Sequence, residues 1–106
     1  MHVGIAGFFG NSPRRDLPFA RDFAQTIEAL NFRTLSLPEH VVFFPTYESN
    51  YPYTEDGVPN WGPDTGIFDP LFVAQALAHA TTKRRFVTGV LILTQRPALL
   101  TAKEVL

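Results

Sequence analysis

From Val3 to Phe9 the chain is almost continuously apolar, with Val3, Ile5, Ala6, Phe8 and Phe9 interrupted only by glycine. That run predicts a strand, β1 (Val3–Phe9), covered on both faces. Gly10-Asn11-Ser12-Pro13 breaks it, and Asp16-Leu17-Pro18 supplies an N-cap acid with proline in the first helical turn. Ala20, Phe23, Ala24, Ile27 and Leu30 then recur at helical spacing, opposite Arg21, Asp22, Gln25 and Glu28, and define helix α1 (residues 17–30). Asn31 follows where a helix commonly ends in a left-handed residue, and Phe32–Leu37 reads as a short strand, β2, stopped by Pro38.

The pattern then fails. Residues 41–68 hold Pro45, Pro52, Pro59 and Pro63 together with Phe43, Phe44, Tyr47, Tyr51, Tyr53, Trp61 and Phe68, and no regular element fits them. A structureless loop of this length implies a lid, a binding loop or a wrong assignment of elements, and its rings need something to pack on. Asp69-Pro70 repeats the cap-then-proline device and opens helix α2, whose apolar positions are Leu71, Phe72, Ala74, Ala76, Leu77 and Ala80; Thr81 to Arg85 end it. Phe86–Leu93 is the best strand pattern in the chain, β3, with Gly89 in its middle. Pro97 starts a last helical pattern, α3, through Ala98, Leu99, Ala102, Val105 and Leu106.

The order β-α-β-(long loop)-α-β-α predicts an α/β fold with parallel strands and right-handed crossovers. The apolar stripe of α3 runs into Leu106 with no cap, glycine or proline, so the chain is expected to be interrupted. Three parallel strands alone would leave unpaired edges. At 106 residues the chain fits one small domain, and 45% hydrophobic with 18% charged residues excludes disorder. Nine Lys+Arg against ten Asp+Glu give a net charge of −1, so neither nucleic acid nor a membrane surface is an expected partner. With no cysteine, a disulfide scaffold and any thiolate metal site are excluded. The first apolar run has no basic region before it and Arg14 and Arg15 after it, which predicts neither secretory signal nor membrane span and makes the cytoplasm the expected compartment.

Both the open doubly wound sheet and the eight-stranded barrel begin in this order, and both bind ligands beyond the carboxyl ends of their strands. Gly4, Gly7 and Gly10 stand three apart, with Gly4 inside β1, so the G-x-G-x-x-G turn of dinucleotide folds is absent. The P-loop, the G-x-S-x-G elbow and the H-E-x-x-H zinc motif are absent too.

Several stretches resemble the luciferase-like monooxygenase superfamily. They are Glu39-His40-Val41-Val42 after β2, the run from Pro45 to Tyr53, Trp61-Gly62-Pro63-Asp64-Thr65, Asp69-Pro70, and the block Thr88-Gly89-Val90-Leu91-Ile92-Leu93-Thr94-Gln95-Arg96-Pro97 followed by Leu99-Leu100-Thr101-Ala102-Lys103-Glu104. The Tyr-rich loop and the Gln-Arg-x-Pro-like turn are most similar to members that use the deazaflavin coenzyme F420. Asn31 stands where that family usually has glycine, and Glu39 where many members have aspartate. The resemblance implies that residues 1–106 are the first three units of a (β/α)8 TIM barrel, which usually needs about 250 residues. It further implies an oxidoreductase that transfers a hydride between coenzyme F420, with FMN as the alternative, and a small organic substrate. A homodimer is implied by kinship alone.

The resemblance also assigns site residues. His40, just past β2, is the candidate catalytic residue, since a histidine titrating near neutrality suits proton transfer to or from substrate during hydride transfer. Glu39 is a candidate for bonding the cofactor or orienting His40, although neighbours in extended chain point to opposite sides. Gly89 and Val90 correspond to a bulge whose non-proline cis peptide backs the flavin ring, and Thr88 offers a hydroxyl to its edge. Tyr47, Tyr51 and Trp61 are candidate lid or substrate-pocket residues. No second His or acid falls at ligand spacing to Glu39-His40, so no metal site is expected. His2 and His79 read as structural, and Lys103-Glu104 as helix surface or a rim ion pair. A second possibility is a non-catalytic flavin-binding or oligomerisation module derived from the same barrel front.

Overall fold

The computed structural model describes residues 2–6 and 16–106. Phe8, Phe9 and the expected break at Gly10–Pro13 lie outside the described residues. The described elements are β1 (Gly4–Ile5), α1 (Leu17–Ala29), β2 (Thr34–Leu37), α2 (Pro70–Ala80), β3 (Arg85–Thr88), a short 3-10 turn (Leu93–Gln95) and α3 (Ala98–Val105). The strands form one parallel sheet in the order β1-β2-β3, with Ile5 beside Leu35 and Leu37 beside Thr88.

Local chemistry accounts for the helix ends. The Asp16 carboxylate accepts from Phe19 N–H at 2.7 Å, and the Asp69 carboxylate accepts from Leu71 N–H and Phe72 N–H at 2.9 and 3.0 Å. Each acid thereby satisfies amides that a first helical turn leaves without partners. Asn31 adopts φ 62°, the left-handed conformation expected after α1.

The core forms where one face of the sheet meets two helices. Leu35 and Leu37 of β2 pack against Ala20, Ala24 and Ile27 of α1 and Val73 and Leu77 of α2, all essentially inaccessible. The alanines let α1 approach the sheet closely, and burying each leucine gains about 1.5–3 kcal/mol relative to exposure. Thr34 and Ser36 point to the opposite, half-open face. Glu28 ties α1 to the turn before β3: its carboxylate accepts from Thr82 N–H, Lys83 N–H and Arg84 Nε. The Lys83 N–H bond is the main reason that this carboxyl lies below its ordinary value, with Thr82 and Arg84 adding to it against the opposing effect of burial.

Three expectations change. β3 was expected to run from Phe86 to Leu93 and ends instead at Thr88. Gly89 N–H makes the last ladder bond, 2.8 Å to Leu37 O; beyond Leu37, Pro38 ends the facing strand, and the chain turns away through Leu91 and Ile92. The Gly89–Val90 peptide bond is cis. A Cβ at Gly89 would lie 2.5 Å from Ser36 Oγ, so close approach to β2 accounts for glycine there. In α2 the inward positions are Pro70, Val73 and Leu77, whereas Phe72 is 55% exposed, because packing against α1 and β2 selects a narrower stripe than the apolar residues suggest. Leu30, assigned to the inner stripe of α1, falls just past the helix and is exposed.

On α3 no residue is buried, and Leu99, Leu100 and Val105 are exposed. Among the described residues no helix is long and apolar enough to cross a membrane.

Candidate active site

Parallel strands place their carboxyl ends on one edge, and here that edge carries both Glu39-His40 and Gly89-Val90. Leu35, Leu37 and Glu39 alternate along extended chain and are all buried, while His40 turns outward. The two adjacent residues consequently have separate surroundings.

Glu39 points into the junction between β3 and α3. Its carboxylate accepts from Ile92 N–H, from the Gln95 side-chain amide at 2.6 Å and from the Arg96 guanidinium. Arg96 also donates to Asp69, the cap of α2, and lies 3.8 Å from a Glu104 carboxylate oxygen. A single guanidinium thus faces three carboxylates and fastens the exit of β2, the start of α2 and the entry to α3. The hydrogen bond to Glu39 raises Arg96 above its ordinary value, against burial, and Asp69 adds to the effect. For Asp69 itself burial is the largest influence and raises the carboxyl. The Phe72 amide, Arg96 and the Leu71 amide together outweigh it and hold the group below its ordinary 3.8.

His40 sits against aromatic rings instead. Its ring centroid lies 4.5 Å from that of Phe43 and 6.3 Å from that of Trp61, and Phe43 and Trp61 are 5.9 Å apart. Tyr51 meets Trp61 edge to face at 5.1 Å. Loop 41–68 is therefore built on its own rings, as its composition requires. Backbone bonds hold it as well: Tyr51 N–H donates to Gly57 O at 2.7 Å, Gly57 takes φ 71°, and Tyr47 Oη accepts from Phe44 N–H.

A cavity of about 230 Å³ opens in this loop, lined by His40, Tyr47, Ser49, Asn50, Tyr51 and Trp61 among others. A second, of about 200 Å³, shares Tyr47, Pro59 and Trp61 as a common wall. A larger void of about 390 Å³ lies around Leu30–Arg33, at the amino ends of the strands and away from this edge.

The sequence-predicted residues thus fall into three groups. His40, Tyr47, Tyr51 and Trp61 share one cavity; Glu39 is committed to Ile92, Gln95 and Arg96; Thr88 is half-buried, with Gly89 and Val90 exposed, and none of the three lines that cavity. Gln95, Arg96 and the ion-pairing role of Asp69 escaped residue-by-residue reading. An acid in phase with two buried leucines was the signal that a cation must come to meet it. His79 faces solvent as expected, and Glu104 faces Arg96 while Lys103 is exposed. Among the described residues no group of three or more His, Asp or Glu side chains is placed to hold a metal ion.

No family model matches the chain, and no solved structure matches it. It is similar to uncharacterized proteins of Mycobacterium bovis and of two strains of Mycobacterium tuberculosis, each 30% identical over 89 residues, or 84% of this chain and 31% of the relative. The chain therefore spans about a third of the length of the curated relatives it matches.

Proposed function

We propose that this chain forms the first three β/α units of a (β/α)8 barrel oxidoreductase of the luciferase-like type, which transfers a hydride between a deazaflavin or flavin and an organic substrate. One observation carries the reading: the exits of adjacent parallel strands bring Gly89-Val90 and Glu39-His40 to one edge, with the aromatic loop folded against His40. That edge is where barrel enzymes place their chemistry. An aligned stretch of 89 residues that makes up 31% of each relative puts those proteins at about 290 residues, enough for a complete barrel.

The donor set suits the ring of such a cofactor. The exposed Gly89 backbone together with the side chain of Val90, which is 69% exposed, offers an apolar wall for a ring, half-buried Thr88 precedes it at the end of β3, and the His40 imidazole can exchange a proton at the next strand end. When bound, the cofactor would supply the hydride chemistry, while the protein orients it and tunes its ring. Arg96 is occupied by Glu39 and Asp69 and is not free to meet a phosphate tail, which in barrels of this type is commonly held by the loops after the last strands. Glu39 acts in this reading through the turn it anchors rather than by touching the ring.

The test is to titrate the full-length protein with oxidised coenzyme F420 and with FMN, followed by absorbance, and to compare His40→Ala. Binding of one cofactor, with turnover at least 100-fold lower in the variant and cofactor affinity within about twofold, is expected. Failure to bind either cofactor refutes the reading; binding with turnover unaltered in the variant removes His40 from the mechanism. The separate 106-residue chain should bind either cofactor more weakly than micromolar.

A further inference from the structure

We propose that the cavity between His40 and Trp61 is a binding site for an uncharged cyclic molecule bearing one hydrogen-bonding oxygen, and that it excludes carboxylates and ammonium groups of the same shape. The inference rests on the hydride-transfer reading only in calling this occupant the substrate.

Four features lead there. The walls are flat and apolar, formed by Tyr47, Tyr51, Trp61 and two prolines, and flat walls favour ring compounds over chains. No Asp, Glu, Lys or Arg lines this cavity, nor the neighbouring one behind Tyr47 and Trp61. A charged occupant would give up part of its hydration against these rings without gaining a counter-charge, which disfavours it relative to an uncharged one. Polar side-chain groups come from His40, Ser49, Asn50 and the hydroxyls of Tyr47 and Tyr51, the first of which already accepts from Phe44 N–H; all are uncharged donors or acceptors suited to an oxygen of the occupant while the rest of it contacts rings. Aromatic cages can also attract cations. Here Tyr51 turns its edge to Trp61, with an interplanar angle of 76°, and a similar 70° to Tyr53, so these rings engage one another rather than surrounding a common centre. A volume of about 230 Å³ limits the occupant to one ring or two fused rings.

Cyclohexanol, cyclohexanecarboxylate and cyclohexylammonium share a ring and differ in charge, and serve as probes on the full-length protein at pH 8 without cofactor. Binding is read by saturation-transfer NMR and by tryptophan emission, with the part of the emission change lost in Trp61→Phe assigned to this site. Cyclohexanol is expected to bind at least tenfold more tightly than either ion, and Tyr47→Ala to weaken it at least tenfold. Ser49 is exposed, so Ser49→Asp adds a carboxylate to the wall without disturbing the packed rings, and should reverse the preference toward cyclohexylammonium. Equal binding of all three probes, binding of an ion in preference to the alcohol, no binding at all, or an unchanged order in Ser49→Asp would each overturn the proposal. Cofactor titration is read separately, so ring binding that persists in a protein taking up neither flavin refutes the oxidoreductase reading and leaves this site standing.

Discussion

Replacing Arg96 by methionine should be the most damaging single change at the junction of β2, α2 and α3. The Glu39 side chain is 4% exposed and that of Arg96 11%, so the pair is shielded from water on both sides. Methionine keeps much of the apolar stem but leaves the Glu39 carboxylate with only two neutral donors, Ile92 N–H and the Gln95 amide. Breaking a buried pair from one side costs about 3–5 kcal/mol, and the two remaining donors put the expected cost near the lower end, about 3 kcal/mol. Asp69 and Glu104 also lose their cation, but they are 45% and 30% exposed, so water screens most of that loss. Urea unfolding followed by circular dichroism should show the midpoint falling by about 1–3 M at unchanged slope. The double variant Glu39→Gln/Arg96→Met leaves no buried charge at position 39 and should recover at least about 1 kcal/mol of the summed single costs. A cost under about 1 kcal/mol for Arg96→Met, or single effects that simply add, would show that the cluster does not hold the junction together.

Leu35→Ala, at a position with no exposure between the two helices, should cost about 2–5 kcal/mol in the same unfolding assay; an effect below 1 kcal/mol would mean the core is assembled differently. Gly89→Ala should destabilise modestly, since its Cβ would come within 2.5 Å of Ser36 Oγ and force that hydroxyl to turn aside, and Ser36→Ala in the same chain should restore part of the loss; without such rescue another contact would be responsible. The Asp69 carboxyl lies lower in the folded chain than its ordinary 3.8, so its stabilising contribution is complete above that value and lost as pH falls through the folded one. Acid unfolding below about pH 4 should therefore be shallower in Asp69→Asn, by less than about 1 kcal/mol because the side chain is 45% exposed, and an identical acid limb would contradict the assignment.

What the sequence determined by itself was local. Asp16-Leu17-Pro18 and Asp69-Pro70 name two helix starts because a capping acid and a proline satisfy or remove the same orphan amides whatever surrounds them. Asn31 marks the end of α1 for a comparable reason, the left-handed turn being a property of the residue and its neighbours. The alternation Leu35, Leu37, Glu39 likewise carried the separation of Glu39 from His40. Strand length was different: Phe86–Leu93 is apolar but for Thr88 and Gly89, yet β3 stops at Thr88 because a strand lasts only as long as the neighbour offering it hydrogen bonds, and β2 has ended. The choice of Arg96 as partner for Glu39, 57 residues away, and the gathering of His40, Tyr47, Tyr51 and Trp61 around one cavity belong to tertiary structure for the same reason. Burying a carboxylate or a ring demands a partner, and which distant residue supplies it depends on how the helices seat on the sheet.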